Sequence, residues 1–342
     1  MKPFKSLRSQ LSFYDTIYDD LIPKDHLLYK LNQVIDWAFI EDECRPYYSE
    51  LGRKGESPIL LFKMLFLSYL YNISERRIEG ECTYHFIYKY FIGLDPRKHA
   101  PDHSTLSKFR DRLGEEGFRR LFNRVVAAAR DKGLVTDELR IIDATHQTAN
   151  VDVLKALQRE VPVEDEANWS SSQAIPGSPD KDARFGAKSK KKKFFGYKHH
   201  IGIDAKHGII TNSATSPGHM HDGDYLEEMI AGPKPQALTG DKIFDAEHQH
   251  KTLKKAKIKS LIIRKKPSKR LSRSPEYQQA VKKRRQVERV FAVQKRNHGG
   301  RRARYWGTVK TQIQNLITDM VYNFKIMAQV LPLSEGELCP EV

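Results

Sequence analysis

The sequence predicts an α/β domain, with a mixed sheet flanked by helices, preceded by an all-α N-terminal domain. Up to about residue 132, apolar residues recur at helical spacing. From Leu139 onward, short apolar runs alternate with helix-like stretches, as strands and helices do around a sheet. The 342 residues suffice for one large or two modest domains. We therefore predict a helical domain over residues 1–132 and an α/β domain over 133–335.

The N-terminal domain is predicted to consist of short helices. Ser57 and Pro58 are typical of a helix start, because serine caps the free N–H groups and proline is tolerated in the first turn. Ser74 is a second candidate cap. The predicted helices are Asp25–Ile40, Ile59–Tyr71, Ser74–Tyr90, Leu106–Leu113 and Phe118–Arg130.

The helix Leu106–Leu113 leaves two interpretations open. It is short and basic, and the neighbouring predicted helices follow closely along the chain. It could therefore be the recognition helix of a helix-turn-helix-like unit. Lys108 and Arg110 would then contact DNA. A plain helical bundle explains the same pattern, because any such helix must turn one face outward.

The α/β domain is predicted to begin at the strand Arg140–Asp143. Gly208 suits the turn of a hairpin between two later strands. Residues 151–193 lack an apolar period and are rich in Ser, Pro, Asp and Lys, which predicts a flexible basic insertion. Its lysine run could follow a phosphate backbone or serve only as a solvated tether. The other predicted strands are His199–Asp204, Gly208–Ala214, Gln236–Asp241 and Lys259–Arg264, and the helices are Asp222–Ala231, Ala246–Ala256, Ser274–His298 and Thr308–Val330.

The charge of the chain predicts a polyanionic partner. The net charge is +16, and residues 251–310 contain 22 Lys and Arg against two acids, which is the clustering expected of a nucleic-acid surface. Three widely spaced cysteines predict neither a disulfide framework nor a cysteine zinc site. No signal peptide and no apolar run long enough for a membrane span are expected. We predict a cytoplasmic bacterial protein associated with the nucleoid.

Three acids are the candidate catalytic and metal-binding residues. Asp143 and Asp241 each end an apolar run, and Glu288 lies in a helix-like stretch crowded with Lys and Arg. Each is a weak signal alone, because an aspartate at a strand end is often only a cap, and Asp245 lies close to Asp241. On a helix, however, Arg284 and Lys295 share a face with Glu288. An ordinary Arg–Glu ion pair is the simpler explanation of that spacing.

These blocks together resemble the DDE transposases of bacterial insertion sequences. Arg284-x3-Glu288-x6-Lys295 is similar to the signature helix of that family, and Ile142-Asp143-Ala144-Thr145 and Gly240-Asp241-Lys242 resemble its two aspartate blocks. The order and spacing agree along most of the chain. Further matches are Pro101–Arg110 in the N-terminal domain, Gly196-Tyr197-Lys198-His199-His200, His221-Asp222, and Arg304-Tyr305-Trp306-Gly307.

The resemblance implies an RNase H-like sheet with Asp143 and Asp241 on adjacent strands and Glu288 on a packed helix. It implies two ions of Mg²⁺ (or Mn²⁺) on these three acids, cleavage of double-stranded DNA at the terminal inverted repeats, and joining of the 3′-OH to target DNA. Because two ends must be joined, a homodimer is expected in the DNA complex. The residues expected to contact DNA are Arg284, Lys295, Lys242, Lys198, His200, Lys108 and Arg110.

The sequence also departs from the family pattern and permits alternatives. The family helix usually has a tyrosine where Val281 stands, and Ile243 occupies a position that is often glycine. A DNA-binding protein derived from a transposase and a related metal-dependent nuclease both fit the basic composition. His219-x-His221-Asp222-x-Asp224 suggests a zinc hydrolase as a further alternative.

Overall fold

A computed structural model describes residues 4–5, 17–18, 20–49, 51–52, 54–153, 175, 177–189 and 192–333. They form two compact units. The first contains the described residues up to Val125 together with those from Met320 onward, and the second runs from Val126 to Asp319. The first unit is helical and the second contains a mixed sheet with helices, which confirms the predicted fold class. None of the described helices is long and apolar enough to cross a membrane.

The helices of the first unit begin where the sequence places their caps. The Ser57 hydroxyl accepts a hydrogen bond from Leu60 N, and the Ser74 hydroxyl accepts one from Arg77 N. Two predicted helices are each divided, one between Val34 and Ala38 and one at His85. The helices are α1 (Leu27–Val34), α2 (Ala38–Cys44), α3 (Pro58–Leu70), α4 (Glu75–Tyr84), α5 (Phe86–Ile92) and α6 (His103–Asp131), the last interrupted by non-helical Gly114 as the two predicted helices require.

The last helix of the chain, α12 (Thr308–Val330), contributes to both units. In the first unit, the Phe324 ring packs on those of Trp37 and Phe66, with centroids 5.1 and 5.8 Å apart. This burial explains why the residues after Asp319 belong to the helical unit, whereas the sequence assigned them to the α/β domain. Local periodicity predicts a helix but does not reveal which core its apolar face enters.

Lys63 is buried in the helical unit. Its ammonium group donates to Asn32 Oδ1 at 2.8 Å and lies 4.7 Å from the centroid of the Trp37 ring. Burial lowers the pKa of Lys63 to about 7. The folded protein therefore releases a proton that the unfolded chain keeps up to the ordinary lysine value of 10.5.

Stability is consequently expected to depend on pH through Lys63. Between about pH 7 and pH 10 the unfolded state binds more protons than the folded state, so the free energy of unfolding should increase as pH rises. Lys63→Met should remove this contribution. Guanidinium unfolding of both proteins at about pH 7 and about pH 9.5 measures it. A difference between parent and variant that does not change with pH would contradict the buried, neutralised lysine.

The second unit is built on a six-stranded mixed sheet. Its order is β2-β3-β1-β5-β6, with β4 also paired with β3. The central strand β1 is antiparallel to β3 and parallel to β5. The strands are β1 (Leu139–Thr148), β2 (Arg184–Ser189), β3 (Lys192–Asp204), β4 (Ile210–Pro217), β5 (Ala237–Thr239) and β6 (Lys259–Ser260).

The predicted flexible insertion over residues 151–193 is too long. Strand β2 lies within it and pairs with β3, where the rings of Phe185 and Phe195 are 5.1 Å apart. Flanking polar and lysine residues masked this short apolar signal. Residues 154–174, 176, 190 and 191, which include half of the predicted lysine run, lie outside the described residues.

The helices of the second unit follow the predicted order, with one consequential break. The predicted helix Ser274–His298 is divided at Arg284, which joins α10 to α11. Asp222–Ala231 forms a 3₁₀ turn and a single helical turn. The helices are α7 (Leu226–Met229), α8 (Glu247–Lys255), α9 (Lys269–Ser272), α10 (Pro275–Lys283) and α11 (Arg285–Asn297), followed by the first part of α12.

Candidate active site

The parallel pairing of β1 and β5 brings Asp143 and Asp241 to neighbouring positions. Ile141 lies opposite Thr239, and each aspartate is two residues further along its own chain segment. Asp143 Oδ1 accepts from Ala144 N at 2.8 Å, and Asp241 Oδ1 accepts from Lys242 N at 2.6 Å. These local hydrogen bonds fix one oxygen of each carboxylate and leave the other directed elsewhere.

Helix α11 supplies the third acid. Its apolar face is buried, and the Phe291 ring lies 6.3 Å from the ring of His199 on β3. Lys295 Nζ donates to Thr145 Oγ1 of β1 at 2.5 Å, which ties the helix to the strand that carries Asp143. The Glu288 side chain stands at the edge of this packed face and is 59% exposed.

The guanidinium of Arg284 joins all three acids. Its Nη2 lies 3.3 Å from Asp143 Oδ2 and 3.8 Å from Asp241 Oδ2, and its Nη1 donates to Glu288 Oε1 at 3.0 Å. Its Nε is buried without a hydrogen-bond partner among the described residues. Three carboxylates thus face a single positive charge, which leaves the cluster with an excess of negative charge.

Burial makes this excess charge costly. Burial of Asp143 raises the pKa of its carboxyl to about 6; the Ala144 N–H and Arg284 oppose the shift, and Asp241 adds to it. A buried carboxylate beside other carboxylates is stabilised by a cation. The cluster offers only oxygen ligands, which Mg²⁺ and Mn²⁺ prefer, so its chemistry fits such ions. In the structure, the guanidinium of Arg284 is the cation that lies next to these carboxylates.

Family comparisons agree with this geometry. The model described as "Transposase domain (DUF772)" matches residues 16–112, and the model described as "Transposase DDE domain" matches residues 136–324, more than half of the chain. The chain belongs to the DDE transposases. No solved structure matches it. The predicted resemblance to an insertion-sequence transposase is therefore confirmed, and the family implies a DNA substrate and divalent metal.

In the transposase, Asp241 and the nearby Asp245 contact different partners. Asp245 accepts hydrogen bonds from Arg264 Nη1 at 3.0 Å and from Lys265 N at 2.7 Å, and it pairs with His250. Burial alone would raise the pKa of Asp245, but these hydrogen bonds outweigh it and lower the pKa to about 2. Asp245 thus holds the loop after β6 in place, whereas Asp241 faces Arg284.

Two predicted DNA contacts on β3 have other partners in the structure. Lys198 Nζ donates to Met220 O and to Asp222 Oδ1. His200 is buried, its Nε2 lies 2.8 Å from Ser216 Oγ, and its ring stacks on Tyr225. Burial, together with His199 and Lys198, lowers the pKa of His200 to about 3. A DNA contact by His200 does not fit this burial, because the ring is enclosed and neutral.

The predicted contacts in the helical unit differ in exposure. Lys108 is exposed, as a phosphate ligand must be. Arg110 is buried and forms a salt bridge with Glu75 of α4. The sequence could show that this basic helix has an outer face, but Arg110 lies on the inner one. A DNA contact by Arg110 does not fit this burial, and its structural role is to join α6 to α4.

The sequence did not reveal a buried network beneath α11. Asp319 of α12 is fully buried, with Oδ1 accepting from Gln294 Nε2 at 2.6 Å and Oδ2 lying 3.1 Å from His199 Nε2. These contacts connect α12, α11 and β3, and so fix the helix that carries Glu288. The one acid among the 23 residues of α12 was the available signal for Asp319.

The histidine-rich segment does not form a metal cluster in the described residues. Across that part of the chain, the one group of three potential ligands within 4.8 Å of one another is Glu79, Asp102 and His103. Asp102 there caps α6 by accepting from Ser104 N, and His103 N donates to Glu79. His221 instead accepts from Gly223 N at the start of a 3₁₀ turn. Membership of the DDE transposases, rather than the geometry of the histidines, argues against the zinc-hydrolase alternative.

Proposed function

We propose that this transposase binds the terminal inverted repeats of its insertion sequence, cleaves the DNA at both ends and joins each 3′-OH to target DNA. The observation that carries the proposal is the convergence of Asp143, Asp241 and Glu288 on the Arg284 guanidinium. Membership of the family supports the reaction class. The net charge of +16 supports a DNA substrate.

The same three acids are the proposed ligands of two Mg²⁺ or Mn²⁺ ions. When bound, such ions activate the attacking oxygen and stabilise the leaving oxygen in phosphoryl transfer. The protein contributes rigid placement, because Asp143 lies within a strand and Glu288 on a helix packed against the sheet. The partial burial of Asp143 limits access of bulk water to this side of the site.

Cationic side chains around the acids are proposed to hold the phosphates. Arg284 presents a planar fork of donors that suits a phosphate, whereas Lys242 and Lys295 offer compact charges. Lys242 is exposed next to Asp241, and Lys295 lies beside Thr145. Lys198 stays a proposed DNA contact, although it must exchange its bond to Asp222 for one to a phosphate.

The helical domain at residues 1–132 is the proposed element for DNA binding and dimerisation. Its exposed Lys108 is the proposed contact there. Since two transposon ends must be held together for joining, we propose a homodimer in the DNA complex. We propose the bacterial nucleoid in the cytoplasm as its place of action.

Reconstitution of the reaction tests the proposal. The protein is incubated with DNA that carries both ends of its element, a target plasmid and Mg²⁺, Mn²⁺ or EDTA. We expect released 3′-OH ends and joined products with either metal, and neither with EDTA. Cleavage without joining would indicate a nuclease instead, and binding of the ends without cleavage would indicate a DNA-binding derivative.

A further inference from the structure

We propose that the exposed cationic segment Lys265–Arg273 binds the phosphate backbone of target DNA beside the active site. The inference rests on the proposed function and names a partner surface for it. In the chain, the segment lies between Asp241 and the pair of helices α10 and α11, which Arg284 joins and the second of which carries Glu288. It combines three properties: unpaired charge, a start that is fixed next to the acids, and the absence of Asn, Gln and aromatic side chains.

The charge of this region is unbalanced. Residues 248–275 contain 11 Lys and Arg and no acid. Acids at its borders pair with Lys251, Lys259 and Arg264. Within the described part of the chain, no ion pair forms at the remaining cations of the segment, and all of them are exposed: Lys265, Lys266, Lys269, Arg270 and Arg273.

Hydrogen bonds fix the start of the segment beside the second aspartate. Ile263 N donates to Gly240 O at 3.1 Å, directly before Asp241. Lys265 N donates to Asp245 at 2.7 Å, and Arg264 N donates to the Tyr277 hydroxyl at 2.9 Å. The cations therefore begin at the edge of the sheet where the acids converge. A run of charges that served only solubility would not require this anchoring.

The composition of the segment favours the DNA backbone over base edges. Residues 265–273 contain Lys, Arg, Pro, Ser and Leu, but no Asn, Gln or aromatic residue. Lysine charges contact phosphates without distinguishing sequence. A surface of this kind suits DNA of varying sequence. Two DNAs of varying sequence reach the active site: the target, and the donor DNA that flanks the element. The target needs such a surface more, because the flanking DNA is already held near the site by its covalent bond to the repeat.

The test compares two triple variants with equal loss of charge. The test variant carries Lys266→Gln, Lys269→Gln and Arg270→Gln. The control carries Lys132→Gln, Lys206→Gln and Lys234→Gln, three exposed lysines at the edge of the sheet where β1 and β5 begin, opposite the acids. Circular dichroism verifies folding of both.

Joining of pre-cleaved ends to a plasmid is measured against target concentration and salt. For the test variant, we expect half-maximal joining to need about tenfold more target, and the slope of log affinity against log salt to fall by about 2–3. The control should match the parent, and cleavage of flanked ends should stay within about twofold for both.

Equal joining by the two variants would overturn the inference. Reduced cleavage of flanked ends with normal joining of pre-cleaved ends would assign the segment to the flank, and the target assignment would be wrong. Failure of the proposed function is distinguishable, since the parent itself would then join no ends. In that case, binding of a random duplex is measured by fluorescence anisotropy at several salt concentrations. A slope of log affinity against log salt that is unchanged in the test variant would refute phosphate binding by the segment.

Discussion

Replacement of Asp143 with Asn is expected to reduce DNA cleavage by about 10³-fold or more, a loss of ~4 kcal/mol in transition-state stabilisation. The same loss is expected for Asp241→Asn and Glu288→Gln. Each change removes one negative ligand while keeping nearly the same shape. Binding of the transposon ends should persist, because these side chains carry the wrong charge for phosphate contact. Cleavage rates and end binding are measured on the same labelled DNA.

Glu247→Gln provides the matched control for these variants. Glu247 is an exposed acid at the start of α8, and its one ion pair among the described residues is with Lys251 on the same helix. Exposed pairs of this kind contribute little to stability. Cleavage by this control should equal that of the parent. Retained cleavage in any of the three acid variants would remove that residue from the catalytic set.

Arg284→Gln is expected to strengthen binding of a divalent cation and to weaken DNA cleavage. The guanidinium lies 3.0–3.8 Å from oxygens of all three acids, so it repels a divalent cation brought among them. Its removal should raise Mn²⁺ affinity about tenfold, since the partly exposed site screens the charge. DNA cleavage should nevertheless fall about 10²-fold, because the DNA phosphate loses the hydrogen-bond donors of the guanidinium.

Isothermal titration with Mn²⁺ and cleavage assays at saturating metal measure the two effects. Arg289→Gln is the control, since Arg289 is exposed on α11 and makes no contact with the three acids among the described residues. Weaker Mn²⁺ binding by Arg284→Gln would contradict competition between guanidinium and metal. Unchanged cleavage would contradict the phosphate role.

The sequence predicted those features that depend on local pattern. Apolar periods located most helices, and acids that follow apolar runs pointed to Asp143, which lies within β1, and to Asp241, which lies two residues beyond β5. Helical spacing placed Glu288 next to Arg284, and the 3.0 Å contact between them confirms that placement. These predictions succeed because each requires only residues that are close in the chain.

Features that depend on distant partners were not predictable. The inward orientation of Arg110 depends on Glu75, and the enclosure of His200 depends on Tyr225 and Ser216. At the interruption of a predicted helix, the Arg284 side chain lies beside Asp143, which is 141 residues earlier in the chain, and near Asp241, which also precedes the helix. A single sequence shows which side chains share a face, but not what that face meets.

The division of α12 between the two units has a consequence for synthesis. A ribosome makes residues from Met320 onward only after the sheet and all three acids, yet the helical unit needs Phe324 for its aromatic core. The N-terminal unit therefore completes its packing last. Nascent or prematurely terminated chains lack that packing, so they are not expected to occupy transposon ends as folded but inactive competitors.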